Sequence, residues 1–147
     1  MKIGVIGAGR IGKVHIRNIS LFVPELEIKT VADPFANEQT EAYAAQFGIK
    51  NVTKNADDIF NDPEIEAVAI CSSTDTHSKY IIEAAKAGKN CFCEKPIDYD
   101  LAKVHEAINA AKKAGIKCKS ISAVALTTIT APFMIWFVQA KSVSRIS

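Results

Sequence analysis

The sequence Gly7-Ala8-Gly9-Arg10-Ile11-Gly12 follows an apolar run, residues 1–6, and opens a segment of helical period. The spacing is G-x-G-x-x-G in the strand-to-helix setting that its chemistry needs. Gly7 permits a tight turn, Gly9 lets backbone approach a pyrophosphate, and Gly12 lets the helix lie close to the strand. A diphosphate there would meet the N–H groups of Arg10, Ile11 and Gly12 at the positive end of the helix. Asp33 closes the run Lys29-Thr30-Val31-Ala32-Asp33, 21 residues beyond Gly12. A carboxylate at that place accepts hydrogen bonds from the adenosine ribose hydroxyls and repels a 2′-phosphate. Pro34 and Phe35 follow it and no arginine stands beside it, which favours NAD over NADP. The bland alternatives are a ligand-free glycine turn and an aspartate that caps the turn before Pro34.

Two further clusters end apolar runs. Ser72-Ser73-Thr74-Asp75-Thr76-His77 follows residues 67–71, at a carboxyl strand end, where open α/β sheets bind ligands. Ser72, Ser73, Thr74 and His77 are candidates to touch the nicotinamide ribose, with plain helix capping as the competing reading. No acid–His or Cys–His spacing makes His77 a metal ligand, and no metal site is expected anywhere. His15 and His105 fall within helices. Glu94-Lys95-Pro96 ends the next strand, with Glu94 counted among the cofactor-facing residues. A lysine at that edge could hydrogen-bond a substrate hydroxyl and assist proton transfer. Local sequence alone favours the plainer reading, a surface lysine in a proline turn.

The elements that must hold these residues are legible in outline. Strand candidates are residues 2–6, 28–32, Val52 with its neighbours, 67–71 and 90–93. Between them lie segments of helical period. The first has Ile11, Val14, Asn18 and Ile19 on one face; the second is capped by Asn37 and stops at Gly48. The third begins near Asp75 or Thr76 and presents Tyr80, Ile81, Ala84 and Ala85. In the fourth Asp98 is the cap, Leu101, Val104, Ile108 and Ala111 the stripe, and Gly115 the terminator. Alternating strands and helices predict an α/β fold, a Rossmann-like doubly wound parallel sheet in a single domain.

Composition agrees with that fold and excludes others. The chain has 147 residues, 48% hydrophobic and 23% charged, with a net charge of +2. This excludes disordered, collagen-like and disulfide-scaffold classes, and no basic field argues for nucleic acid. Six residues before Gly7 are too few for a secretory signal. Cys71, Cys91, Cys93 and Cys118 have no zinc spacing and read as small apolar core residues in a reducing cytosol, so a cytoplasmic location is expected. Cys91 and Cys93 are expected to point to opposite faces of their strand. All 16 acidic residues lie at or before Glu106. The chain therefore divides into a balanced nucleotide-binding body, residues 1–117, and an apolar, acid-free tail, residues 118–147.

Residues 2–12 with His15, Val31-Ala32-Asp33-Pro34, residues 70–77 and Cys93-Glu94-Lys95-Pro96 together resemble the glucose–fructose oxidoreductase/inositol dehydrogenase/MocA (Gfo/Idh/MocA) family. From Glu94 through Asp100 and Leu101 the wording is most similar to the bacterial inositol 2-dehydrogenases of that family. The resemblance covers residues 1 to about 117. It implies NAD-dependent oxidation of a hydroxyl on a small polyol such as inositol, with Lys95 as the catalytic lysine contacting substrate. It also implies a homo-oligomeric parent whose larger second domain supplies an Asp and a proton-transferring His.

The tail does not resemble that second domain. Codons compatible with residues 118–130, read two bases out of phase, give QIDFSRRFDHN, which is similar to the family phrase F-x-R-R-F-D. Residues 139–143 permit the family phrase G-K-I-G in the same frame. The expectation is a dehydrogenase gene whose frame changes near Cys118, leaving a cofactor domain with NAD binding and little or no turnover. The rival reading, a nucleotide-binding module docked to a membrane or partner, rests on 21 uncharged residues, 120–140, between Lys119 and Lys141. That length suffices for a bilayer, but five hydroxyl residues and Pro132 argue against a membrane helix. A third reading has residues 121–126 supply a last strand.

Overall fold

The computed structural model describes residues 1–120. Six strands, β1 (Lys2–Ile6), β2 (Glu27–Ala32), β3 (Asn51–Thr53), β4 (Ala67–Ile70), β5 (Asn90–Cys93) and β6 (Cys118–Ser120), form one sheet. Five helices connect them: α1 (Arg10–Phe22), α2 (Glu38–Ala45), α3 (Asp57–Phe60), α4 (Thr74–Lys86) and α5 (Leu101–Ala114). The strand order is β3-β2-β1-β4-β5-β6 and every pairing is parallel. The chain winds outward from β1 to one edge, then returns beside β1 with β4 and winds to the other. The fold is the expected doubly wound one, and its switch point lies between β1 and β4.

Parallel strands covered on both faces read as unbroken apolar runs rather than alternating ones. Thus all four residues of β4 are buried. Ile3, Val5, Val31, Ala69 and Phe92 form the core beneath α1 and α2. Val68, Ile70, Cys91 and Cys93 form the other core, against Ile81 and Ala84 of α4 and Ala107 and Ala111 of α5. Removing a side chain of the size of Phe92 from water is worth about 2–3 kcal/mol. Cys91 and Cys93 therefore share a face and Phe92 takes the other, which corrects the opposite-face expectation for the thiols. A side-chain period of two places i and i+2 together.

Two helices also depart from the sequence reading at particular positions. On α1 the buried residues are Gly12, His15, Ile16 and Ile19, while Val14 is exposed. Ile19 is buried and Ile11 packs against the core as predicted, but His15 and Ile16 take the inward place given to Val14, His15 with a carboxylate partner. On α5 the cap is Asp100, whose side chain accepts from the Ala102 N–H. Asp98 instead accepts from Asp100 N–H and Ser78 Oγ. Ala111 is buried and Val104 and Ile108 are half-buried as the stripe predicts, but Leu101, the first residue after the Asp100 cap, is exposed, and Ala107 is buried in addition. Asn37 caps α2 as expected, in a reciprocal capping box with Thr40.

The last strand of the described residues, β6, starts at Cys118 and pairs with β5 from Cys91 to Cys93. No helix of the described residues is long and apolar enough to cross a membrane. The membrane-span and last-strand readings of residues 121–140 lie outside the described residues.

Candidate cofactor-binding site

The carboxyl ends of β1, β2 and β4 converge at the switch point, and the glycine turn stands over them. Gly7 has φ +97°, a conformation that side-chain-bearing residues avoid. A Cβ there would come within 2.6 Å of the Cys71 backbone. At Gly12 a Cβ would lie 2.0 Å from the Gly7 carbonyl oxygen, so these two glycines are required by the fold itself. Gly9 is different. A Cβ on it would meet nothing within 4 Å, so its smallness serves no contact of the protein and leaves an open approach to the backbone.

Gly9 is the N-cap of α1, with no side-chain cap and no acidic residue in the first turn. The first closing bond runs from Lys13 N–H to Gly9 O at 2.9 Å. The N–H groups of Arg10, Ile11 and Gly12 thus have no intrahelical acceptor and point out of the helix end. An uncapped helix start with a basic first residue suits a bound diphosphate. Asp33 braces this turn: Ala8 N–H donates to Oδ2 at 2.6 Å and Phe35 N–H to Oδ1 at 2.8 Å. The turn-capping role and the ribose role coexist, since each carboxylate oxygen keeps a second lone pair.

A cleft of about 400 Å³ opens here, lined by Gly7, Gly9, Arg10, Ile11, Asp33 and Ser72 among others. Ser73 also lines it, while Gly12, Thr74, His77, Glu94 and Lys95 do not. Pro34, Phe35, Thr76 and Tyr80 complete the wall. Tyr80 packs against the core as its helical stripe predicts, and it also lines the cleft, which periodicity alone does not distinguish. Burial pushes the Tyr80 phenol and the Cys71 thiol above their ordinary ranges, with nearby carboxylates adding to both.

The loop after β4 is held by its own hydroxyls. Thr76 Oγ1 donates to Ser73 O at 2.7 Å, so Ser72 Oγ donates to Thr76 Oγ1, also at 2.7 Å. Ser73 occupies the N-cap of α4 but its side chain makes no capping bond, so its hydroxyl is at the disposal of the cleft. His77 is 1% exposed and its ring spans two carbonyls, Nδ1 to Pro96 O at 2.7 Å and Nε2 to Ser72 O at 2.9 Å.

The next strand end, beside β4 through the Ile70–Cys93 pairing, carries Glu94-Lys95-Pro96. Glu94 points inward to an ion pair with His15 Nε2 of α1, and His15 meets Phe92 edge-on at a 5.4 Å ring separation. Burial raises the Glu94 carboxyl, but the hydrogen bond and charge of His15, with the Lys95 N–H and His77 adding, carry it below its usual range. Lys95 itself is exposed, its N–H donating to Glu94 Oε2 at 3.3 Å, and its peptide bond to Pro96 is cis. Neither His15 nor Thr76 was picked from sequence as a site residue. Among the described residues no group of three His, Cys, Asp or Glu is placed to hold a metal ion.

The family model described as an oxidoreductase family with an NAD-binding Rossmann fold matches residues 1–121. The chain is 42% identical over 113 residues to the uncharacterized oxidoreductase YrbE of Bacillus subtilis, covering 77% of this chain and 33% of that protein. It is 37% identical over 116 residues to the myo-inositol 2-dehydrogenase of Thermotoga maritima, covering 79% of this chain and 34% of that enzyme. A crystal structure of scyllo-inositol dehydrogenase from Lactobacillus casei, with bound NAD(H) and scyllo-inositol, superposes with a TM-score of 0.76 at 27% identity. That match covers 82% of this chain and 35% of the other. The chain thus spans about a third of the length of the curated relatives it matches.

Proposed function

The chain belongs to the Gfo/Idh/MocA oxidoreductase family and carries its NAD-binding Rossmann domain, and from that premise we propose that it is the cofactor half of an inositol 2-dehydrogenase-type enzyme. The observation that carries the reading is the uncapped, open glycine turn at Gly9, braced by Asp33 beneath it. Bound NAD supplies the hydride acceptor for oxidation of a ring carbinol. This chain's residues do the rest of the binding. The first-turn N–H groups of α1 and Arg10 hold the diphosphate; Asp33 accepts from the adenosine ribose and keeps a 2′-phosphate out. Ser72 and Ser73 face the nicotinamide side, and Lys95 donates to the substrate hydroxyl at the adjoining strand end. Glu94 holds the backbone N–H of Lys95 while His15 holds Glu94. The inositols are the substrate class because the relatives with named substrates act on them.

Calorimetric titration of the chain with NAD and NADP tests the cofactor half of this reading. NAD is expected to bind at least about tenfold more tightly, a gap of about 1.4 kcal/mol. Asp33→Asn, which keeps the shape and removes the charge, is expected to close that gap. Equal affinity for the two cofactors in the unaltered chain overturns the assignment of Asp33.

A further inference from the structure

Three of the chain's four cysteines lie together on one face of the sheet, and all four are free thiols. Cys91 and Cys93 of β5 are buried in the core under α4 and α5, and Cys118 of β6 packs against that core. Cys71 belongs to the core on the other face. The parallel register sets Cys91 directly opposite Cys118. Paired residues of neighbouring parallel strands point to the same face, and such strands lie about 4.8 Å apart. That spacing falls within the roughly 4.4–6.8 Å between Cα atoms that a disulfide spans. Cys93 pairs with Ser120 instead, so its diagonal to Cys118 is about 8 Å, beyond that range. Cys91 and Cys93 are i and i+2 on one extended strand, about 6.6 Å apart and at the far end of it. We propose that Cys91 and Cys118 are a redox-active dithiol, oxidised by a low-molecular-weight disulfide to a bond that staples β6 to β5.

The two thiols are unequal, and the inequality sets the order of events. Cys118 is half-buried, whereas Cys91 is 0% exposed. Hydrogen bonding between the two holds Cys118 below the ordinary thiol range, and the same bond together with burial pushes Cys91 above it. Cys118 is therefore the attacking group and Cys91 the resolving one. The Cys118 thiolate attacks one sulfur of a reagent such as oxidised glutathione, breaking its S–S bond and expelling one thiolate. Cys91 then gives up its proton, attacks the Cys118 sulfur and expels the second thiolate. Two protein thiols are oxidised, the reagent disulfide is reduced to two thiols, and these carry away the two protons. Cys91 has to meet only Cys118, so its burial is no obstacle. The new bond closes a loop over α5 and the Glu94-Lys95-Pro96 turn. It also fastens β6, which is three residues long and among the described residues pairs with β5 alone.

The test treats the full 147-residue chain, reduced and folded, with oxidised glutathione, then unfolds it for thiol titration and peptide mapping. Free thiols are expected to fall from four to two, with one link joining the peptides that hold Cys91 and Cys118. Excess dithiothreitol is expected to restore all four. Four thiols still free, a link through Cys71 or Cys93, a link between two chains, or a lasting glutathione adduct on Cys118 each overturns the proposal. Cys93→Ser is expected to form the same link, and Cys118→Ser to keep its remaining thiols free. Loss of two thiols in folded Cys118→Ser also overturns it, and if neither variant folds, the map of the unaltered chain decides alone. The linked chain is expected to melt at least about 5 °C above the reduced one, and equal melting temperatures overturn the stapling of β6. NAD binding enters none of these readouts, so they stand apart from the cofactor assignment.

Discussion

At the scale of single residues, the three glycines of one motif do separable things. Gly12 is squeezed against the Gly7 carbonyl, with 2.0 Å for a Cβ, whereas Gly9 faces open space. Gly12→Ala is therefore expected to cost about 3 kcal/mol of stability, by forcing α1 away from β1. Gly9→Ala is expected to leave the melting temperature nearly unchanged and to weaken NAD binding at least tenfold, since the new methyl stands where the pyrophosphate must approach. Thermal melts and calorimetry on the two variants separate these effects; equal losses of stability would sink the distinction. The motif, Asp33 and the Glu94-Lys95-Pro96 turn were legible because their chemistry depends on residue type at fixed spacing. His77 was legible only as a polar residue near a ligand edge. That both its nitrogens are spent on carbonyls depends on a contact 19 residues away, which no local pattern encodes.

At the scale of elements, α1 and β5 are joined where the sequence predicted separate roles. His15 read from sequence as a residue of the resemblance with no structural or chemical role, and the apolar stripe was drawn through Val14 instead. A histidine normally counts as polar in a periodicity argument, but its pairing with Glu94 makes the inward position favourable, and His15 rather than Val14 faces the core beside Ile19. The same reasoning explains α5, where Asp98 and Asp100 are both plausible caps and only the bond from Ser78 to Asp98 decides between them. The His15–Glu94 pair has a pH consequence. Glu94 titrates below its ordinary value of 4.5 in the folded chain, so it favours folding above the unfolded value, and that stability is lost as pH falls through the folded one. His15→Leu is expected to destabilise the chain by about 2 kcal/mol at pH 7, because it removes the side-chain partner of a half-buried carboxylate and leaves it only the Lys95 N–H. The deficit should shrink as acid protonates Glu94, and Glu94→Gln in the same chain should recover much of it. Denaturant melts from pH 7 down to pH 3 check this; a deficit that does not vary with pH removes the ion pair from the account.

At the scale of the whole molecule, the alternation behind the doubly wound order is legible because the strands are short apolar runs and three of the helices, α2, α4 and α5, are closed by Gly48, Gly88 and Gly115. What the cleft can do alone follows from its walls. Oxidising an alcohol releases a proton as the hydride leaves, and a group must be ready to take it. The titratable side chains lining the cleft are Arg10, Asp33, Cys71 and Tyr80. The Arg10 guanidinium has no acceptor atom, Asp33 already accepts from two backbone N–H groups, and burial raises Cys71 and Tyr80 away from neutrality. None of these is a base poised for an alcohol near pH 7, and the open cleft admits water to the reacting carbon. The chain is therefore expected to bind NAD and to reduce it with inositol at least about 10³-fold more slowly than a full-length relative, the range that a missing general base commands. Joining residues 1–117 to the remaining two-thirds of the Thermotoga maritima myo-inositol 2-dehydrogenase is expected to restore turnover, and Lys95→Met in that hybrid to abolish it. Reduced-nicotinamide absorbance follows both. Turnover by the 147-residue chain itself would mean that a proton acceptor other than the cleft's own lining residues serves the reaction. A folded, NAD-binding hybrid that stays inactive would instead show that this half does not present Lys95 as an inositol dehydrogenase must.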